Sequence, residues 1–240
     1  MARQRIKTHV DGLDDVLRGG IPEGHVVLIS GLPGTMKSSL TYSILHHNAE
    51  LDGKPSVYVS LEQTRQSLEG QMDGMGFGES SHEARVSVAD LATLRKQVGR
   101  GRAPVWRDFL QRVVERRSKI RPFELLALDS LEALEVLGGF KEPRAELFEL
   151  FEWLRGLNAT SFVLTEAPPE SILLPGESDH RSDAGYLADG MIHLKMHQVS
   201  DVTIQRRLRV VKMRETAHET HYMALVLEPG KFSVAPALSV

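Results

Sequence analysis

The sequence contains no cysteine, which excludes a disulfide framework and thiolate metal sites and fits a reducing compartment, so a cytoplasmic location is expected. It also lacks any apolar run of about eighteen residues, and its opening stretch MARQRIKTHVDGLDD has no apolar segment, so neither a spanning helix nor a secretory leader is expected. An excess of charge is missing too. Twenty-nine Lys and Arg stand against 32 Asp and Glu, a formal net charge of -3, which argues against a protein that coats nucleic acid over its whole surface. Aromatic residues are sparse at 6%, and no internal repeat is visible. What remains, 240 residues of ordinary globular composition, is enough chain to bury one sizeable core.

The stretch around which the rest makes sense is Val26 to Leu40, VVLISGLPGTMKSSL. Val26 to Ser30 is apolar and largely β-branched, the pattern of a buried strand, and from Lys37 onward the spacing is helical. Gly31-Leu32-Pro33-Gly34-Thr35-Met36-Lys37-Ser38 between them matches G-x-x-x-x-G-K-[ST], with Met36 where the second glycine is usual. A strand that re-enters as a helix through such a turn aims backbone N–H groups and a positive helix end at one point, which suits a phosphate chain. The expected nucleotide contacts are Leu32, Pro33, Gly34, Thr35, Met36, Lys37, Ser38 and Ser39. Lys37 adds charge toward the terminal phosphates, and the Ser38 hydroxyl is a Mg²⁺ ligand. Met36 requires its side chain to turn outward, because a Cβ at that position can block the close approach that glycine permits.

Along the chain, Gly12 to Gly24 predicts a short helical turn closed by glycines, part of a lead-in over residues 1–24. A helix over Ser39 to Leu51 precedes a strand over Ser56 to Leu61, which ends in Glu62-Gln63-Thr64. A carboxylate at such a strand end is placed to orient an attacking water, since open α/β sheets hold ligands at their carboxyl ends; the competing role for Glu62 is to cap the next helix, for which Thr64 is equally suited. A short helix over Gln66 to Gly76 and a strand over Arg85 to Val88 follow. Arg95 to Arg121 carries ten Lys/Arg against two acidic residues, and its Pro104 to Lys119 part predicts an amphipathic helix with a cationic outer face. Such a face is usually solvated; an acidic partner or nucleic acid is the alternative, weakened by the lack of interleaved aromatics. Phe123 to Asp129 reads as a buried parallel strand delivering Asp129 as a Mg²⁺ carboxylate, with Ser130 able to assist. A helix over Glu142 to Leu157, a strand over Ser161 to Thr165 and a loop over Pro168 to Arg181 come next. From residue 187 to 235 the pattern alternates, as in an antiparallel meander with one wet face.

Taken together, the blocks GLDDVLRGGIPEGHVVLISGLPGTMKSS, VYVSLEQT, LLALDSLEAL, ATSFVLTE, DGMIHL and RRLRVVKMRETAH resemble, in this order, the KaiC-like branch of RecA/RadA-type ATPases. The resemblance spans roughly Thr8 to Val234. It implies a single α/β domain over residues 1–240, a RecA-like P-loop NTPase with a mostly parallel central sheet flanked by helices and C-terminal antiparallel strands. It further implies ATP or ADP with Mg²⁺ as ligands, Asp129 and Ser38 at the metal, and Glu62 priming water where the family usually has two adjacent carboxylates; here the neighbour is Gln63, which points to slow hydrolysis. Lys212 and Arg214 would reach the neighbouring subunit's γ-phosphate, and Arg206 would lie near the adenosine. Shared sites need head-to-tail contacts that close into a ring, and the resemblance suggests a homohexamer acting in regulation through a signalling partner. Autophosphorylation at Ser178 or Ser182 is disfavoured by flanking Asp179 and Asp183. Two further readings stand beside this one, an ATP-binding assembly or sensor module with little hydrolysis and a RecA-like DNA-binding ATPase.

Overall fold

A computed structural model describes residues 3–78, 86–90, 106–120, 122–166 and 181–237. The basic stretch before residue 106 and the expected loop from residue 168 to 180, with Ser178, lie outside these residues.

After a two-residue strand β1 (Arg5–Ile6), a single-turn helix α1 (Leu13–Val16) and β2 (Ile21–Pro22), the chain enters strand β3 (Val26–Ser30) and helix α2 (Lys37–Leu51). Then come β4 (Ser56–Ser60), α3 (Arg65–Gly74), β5 (Val86–Asp90), α4 (Trp106–Ile120), β6 (Leu125–Asp129), α5 (Leu131–Gly138), α6 (Pro143–Gly156), β7 (Thr160–Thr165) and α7 (Arg181–Leu187). Four strands finish the fold: β8 (Gly190–Gln198), β9 (Ile204–Met213), β10 (Met223–Glu228) and β11 (Lys231–Pro236). β3 through β11 form one nine-stranded sheet in the order β11-β10-β9-β8-β3-β7-β6-β4-β5. The run from β8 to β5 is parallel, and β9, β10 and β11 pair antiparallel.

Alternation along β3 divides the molecule into two layers. Val27 and Ile29 join a core shared with α2, α3 and the last four strands, while Val26 and Leu28 join a second core with α4, α5 and α6, as the two-residue period of a strand requires. Because both faces are covered, the parallel strands read as unbroken apolar runs. β8 departs from the expected one-sided meander: its first half, parallel to β3, is buried throughout, and alternation starts only where it outruns β3. Helix α2 is buried around most of its circumference, and the Asn48 amide ties it to the lead-in, Nδ2 donating to Lys7 O at 2.8 Å and Ile44 O at 2.8 Å.

The lead-in is packed structure. The Arg5 guanidinium donates to Leu17 O and Gly20 O at 3.1 and 2.7 Å, and Asp14 accepts from Thr8 N and Thr8 Oγ1. At Gly20 a Cβ would stand 2.2 Å from Ile6 O, so no other residue fits there without moving β1.

Two histidines, His25 buried and His47 half-buried, make stability acid-sensitive. Burial holds His25 and His47 below the ordinary value of 6.5, outweighing the nearby carboxylates of Asp189 and Glu215 for His25; the charge of His9 adds to the effect at His47. The folded state then refuses protons that the unfolded chain accepts. Stability is therefore full above pH 6.5 and declines as the pH drops below it. Melting temperature measured from pH 8 downward should start to fall near pH 6.5, and His47→Gln should flatten that first decline.

Candidate functional site

β3 ends at Ser30, and Gly31 begins the turn. A Cβ on Gly31 would lie 2.4 Å from Leu194 O and 2.9 Å from Thr35 Oγ1, so the turn can leave the sheet against β8 only with glycine there. Thr35 locks the loop by donating its hydroxyl to Leu32 O at 2.7 Å. Leu32, Pro33 and Gly34 form the exposed lip, while Thr35, Lys37 and Ser39 are buried.

Met36 adopts φ 73° and ψ 29°, the left-handed conformation that glycine takes without cost. Its side chain does not turn outward as the sequence reading required. It is half-buried, packs against the core on the α2 side and forms part of the cleft wall. The backbone thus keeps the shape a glycine would give it, because the thioether chain, flexible and apolar, has core to pack against.

Loop and strand ends enclose a cleft of about 390 Å³ lined by Pro33, Gly34, Met36, Lys37, Ser38, Ser39, Glu62, Gln63, Gln71, Met75, Asp129, Ser130, Glu166 and Arg206. Lys37 Nζ donates to Gly31 O at 2.7 Å, so its ammonium is folded over the loop. Arg206 lies across the lip and donates from Nε to Gly34 O at 3.2 Å. On the neighbouring strands, Asp129 at the end of β6 accepts from the Tyr58 hydroxyl at 2.6 Å and from Ser38. Burial raises the Asp129 carboxyl above its ordinary 3.8; these two hydrogen bonds and the Lys37 charge pull against the rise without cancelling it.

Glu62 does not cap α3. Thr64 does, accepting from Ser67 N at 3.3 Å, which leaves Glu62 in the cleft, where Ser130 Oγ donates to its Oε1. Ser130 is itself the N-cap of α5, so one helix start fixes the hydroxyl that orients Glu62. Gln63 lies on the cleft wall and donates to Gln71 Oε1 at 3.4 Å, and Gln71 reaches Ser39 Oγ at 3.3 Å. Behind the wall, Glu132 fixes the start of Glu166 by accepting from Thr165 Oγ1 and Glu166 N at 2.6 and 2.9 Å. Sequence reasoning missed Tyr58, Gln71 and Glu132. Of these Tyr58 carried a signal, since a tyrosine inside an otherwise apolar buried strand needs a partner for its hydroxyl.

Lys212 and Arg214 lie elsewhere. They stand at the opposite edge of the sheet, where β3 begins, and β3 alone, five residues long, separates the edges by roughly 16 Å at about 3.3 Å per residue. Nor do they simply decorate a solvent face. Lys212 Nζ donates to Gly185 O, Tyr186 O and Ala188 O at 3.2, 3.1 and 2.6 Å, placing a cation at the carbonyl end of α7. Burial, with the Arg214 charge, lowers the Lys212 pKa from its usual 10.5. Arg214 Nη1 donates to Asp189 Oδ1 at 2.6 Å, and Arg155 Nε donates to Asp189 Oδ2 at 3.3 Å. Asp189 also accepts from Val26 N at 3.0 Å; burial favours its neutral form, but these bonds prevail and hold its pKa below 3.8. This edge opens on a second cleft of about 610 Å³ that includes Arg3, His25, Arg155, Asp189 and Arg214.

The chemistry of the first cleft is a loop of N–H donors, a cation, and paired oxygen ligands beside a second carboxylate. Comparison with known proteins identifies the family of the chain. The family described as "ATPase: KaiC" matches residues 6–239. A UPF0273 protein of Methanopyrus kandleri is 31% identical, covering 91% of this chain and 86% of its own length. The circadian clock protein KaiC2 of Synechocystis is 25% identical over 97% of this chain, which spans 40% of KaiC2. Among solved structures, a KaiC-like protein from Pyrococcus horikoshii superposes with a TM-score of 0.79 at 26% identity, covering 98% of this chain and all of that one.

Proposed function

Since the chain belongs to the KaiC family of ATPases, we propose that it binds ATP with Mg²⁺ in the cleft at the carboxyl end of β3 and hydrolyses it slowly, as one subunit of a homo-oligomeric ring. The observation that carries the reading is the convergence on one cleft of Lys37 and Ser38 from the start of α2, Asp129 from the end of β6 and Glu62 from the segment after β4. The donor set fits the metal, because Ser38 and Asp129 offer hydroxyl and carboxylate oxygens already in hydrogen-bond contact, the hard ligands Mg²⁺ takes together with nucleotide phosphates. Bound there, the ion would neutralise charge on the phosphates. Lys37 would exchange its loop carbonyls for phosphate oxygens, and the loop amides would hold the chain in line. Glu62, held by Ser130, would accept the proton of the attacking water.

Arg214 is the residue for completing a neighbour's site. Its side chain is 49% exposed beside the second cleft, and a planar cation delivered from the next subunit suits a charge-rich transition state. Native mass measurement with and without Mg²⁺-ATP tests the reading: ATP should shift the protein to a closed oligomer, hexameric by analogy with the family, and a monomer under both conditions would refute the ring. Arg214→Ala should bind nucleotide in the single subunit and weaken each contact about tenfold, a loss of about 1.4 kcal/mol per contact, which moves the distribution toward monomer. Gln63, turned toward Gln71, favours a second reading, a nucleotide sensor with little turnover; phosphate release at saturating ATP separates the two.

A further inference from the structure

We infer that Tyr58 is a positioning residue for the metal carboxylate, holding Asp129 so that it turns a single oxygen to the cation and thereby favours Mg²⁺ over Ca²⁺; this rests on the ATP–Mg²⁺ reading above. Tyr58 lies on β4, one strand over from Asp129, and is fully buried. In the parallel register it stands opposite Ala127, two residues short of Asp129, so its ring rises beneath the carboxylate. Tyr42 of α2 packs against that ring at a centroid distance of 6.0 Å, and the direction of the phenol is set by the core. Phenylalanine would fill the same space. The hydroxyl is thus the part that needs explaining, because a buried O–H costs stability unless it is bonded. It donates to Asp129 Oδ2 at 2.6 Å.

That bond does two things to the carboxylate. It restrains rotation about the Cβ–Cγ bond, together with the Ser38 hydroxyl that is in hydrogen-bond contact with both groups, and it occupies Oδ2, so that on this inference Oδ1 is the oxygen offered to a cation. Mg²⁺ takes near-octahedral, single-oxygen ligands at short distance, whereas Ca²⁺ is larger and readily accepts both oxygens of one carboxylate. Partners that orient a ligand in this way typically matter about 10- to 100-fold in metal affinity.

Calorimetric titration of ADP into the full chain, in EDTA, in Mg²⁺ and in Ca²⁺, provides the test. Tyr58→Phe should bind ADP with wild-type affinity in EDTA, lose about tenfold in Mg²⁺, and show a narrowed preference for Mg²⁺ over Ca²⁺. Asp129→Asn should lose the Mg²⁺ enhancement, and adding Tyr58→Phe to it should change nothing further, as expected of a residue that acts through another. A Tyr58→Phe protein with the full Mg²⁺ enhancement and preference, or one equally weakened in EDTA, overturns the positioning role while leaving nucleotide binding intact. Asp129→Asn with its Mg²⁺ enhancement preserved overturns it as well, whatever the folding of the tyrosine variant. Wild-type protein that takes up no ADP removes the site reading itself and this inference with it.

Discussion

Lys37→Ala should bind ATP at least about a hundredfold more weakly than the wild type, while keeping its fold. The ammonium is buried at the base of the cleft and already sits on two loop carbonyls, Gly31 O at 2.7 Å and Leu32 O at 3.4 Å. Both are acceptors that a triphosphate would outcompete. Hydrogen bonds to charged groups contribute about 1.5–3 kcal/mol each, and about 1.4 kcal/mol is tenfold in affinity. Losing the charge and its bonds together accounts for two orders of magnitude. Folding should suffer less, because the carbonyls left behind border the cleft and can take water. Calorimetry with ATP, paired with a thermal melt, decides it; ATP binding of wild-type strength in a folded Lys37→Ala protein would remove the nucleotide reading.

Glu62→Gln should divide turnover into its parts, with hydrolysis lower by about 10²- to 10⁴-fold, the range of a positioned general base, and ATP affinity changed by less than about twofold. The substitution keeps an oxygen for Ser130 to donate to and removes only the capacity to take a proton. Single-turnover phosphate release from preloaded protein measures chemistry without product release. A Glu62→Gln protein that hydrolyses at the wild-type rate would take the base role away from Glu62. The next candidate on the cleft wall is then Glu166.

The parts of this site that could be read from sequence are those fixed by local rules. β3, its turn and α2 form a contiguous motif, and the apolar runs read as strands β4 and β6 lead to Glu62 and Asp129, which both line the cleft. Whether Glu62 or Thr64 capped α3 was open in the sequence, since both can accept a hydrogen bond at a helix start. Geometry decided it through Ser130, which is distant in the chain. Met36 was misjudged because sequence exposes the missing glycine but not the core surface behind it. Gln71 was silent, and Tyr58 signalled only that its hydroxyl needs a partner, for a related reason: the partners, Ser39 and Asp129, arrive through helix packing and sheet order. That Lys212 and Arg214 both reach the carbonyl end of α7 could be learned only from the fold.

The separation of the two cationic groups by the length of β3 has a kinetic consequence. In the proposed ring, a chain folded alone would possess every catalytic part and yet no finished centre, since Lys37 and Arg214 lie toward opposite ends of β3. Specific activity would then be a property of the solution, not of the molecule: constant when concentrated, and bending downward with dilution once neighbours part company.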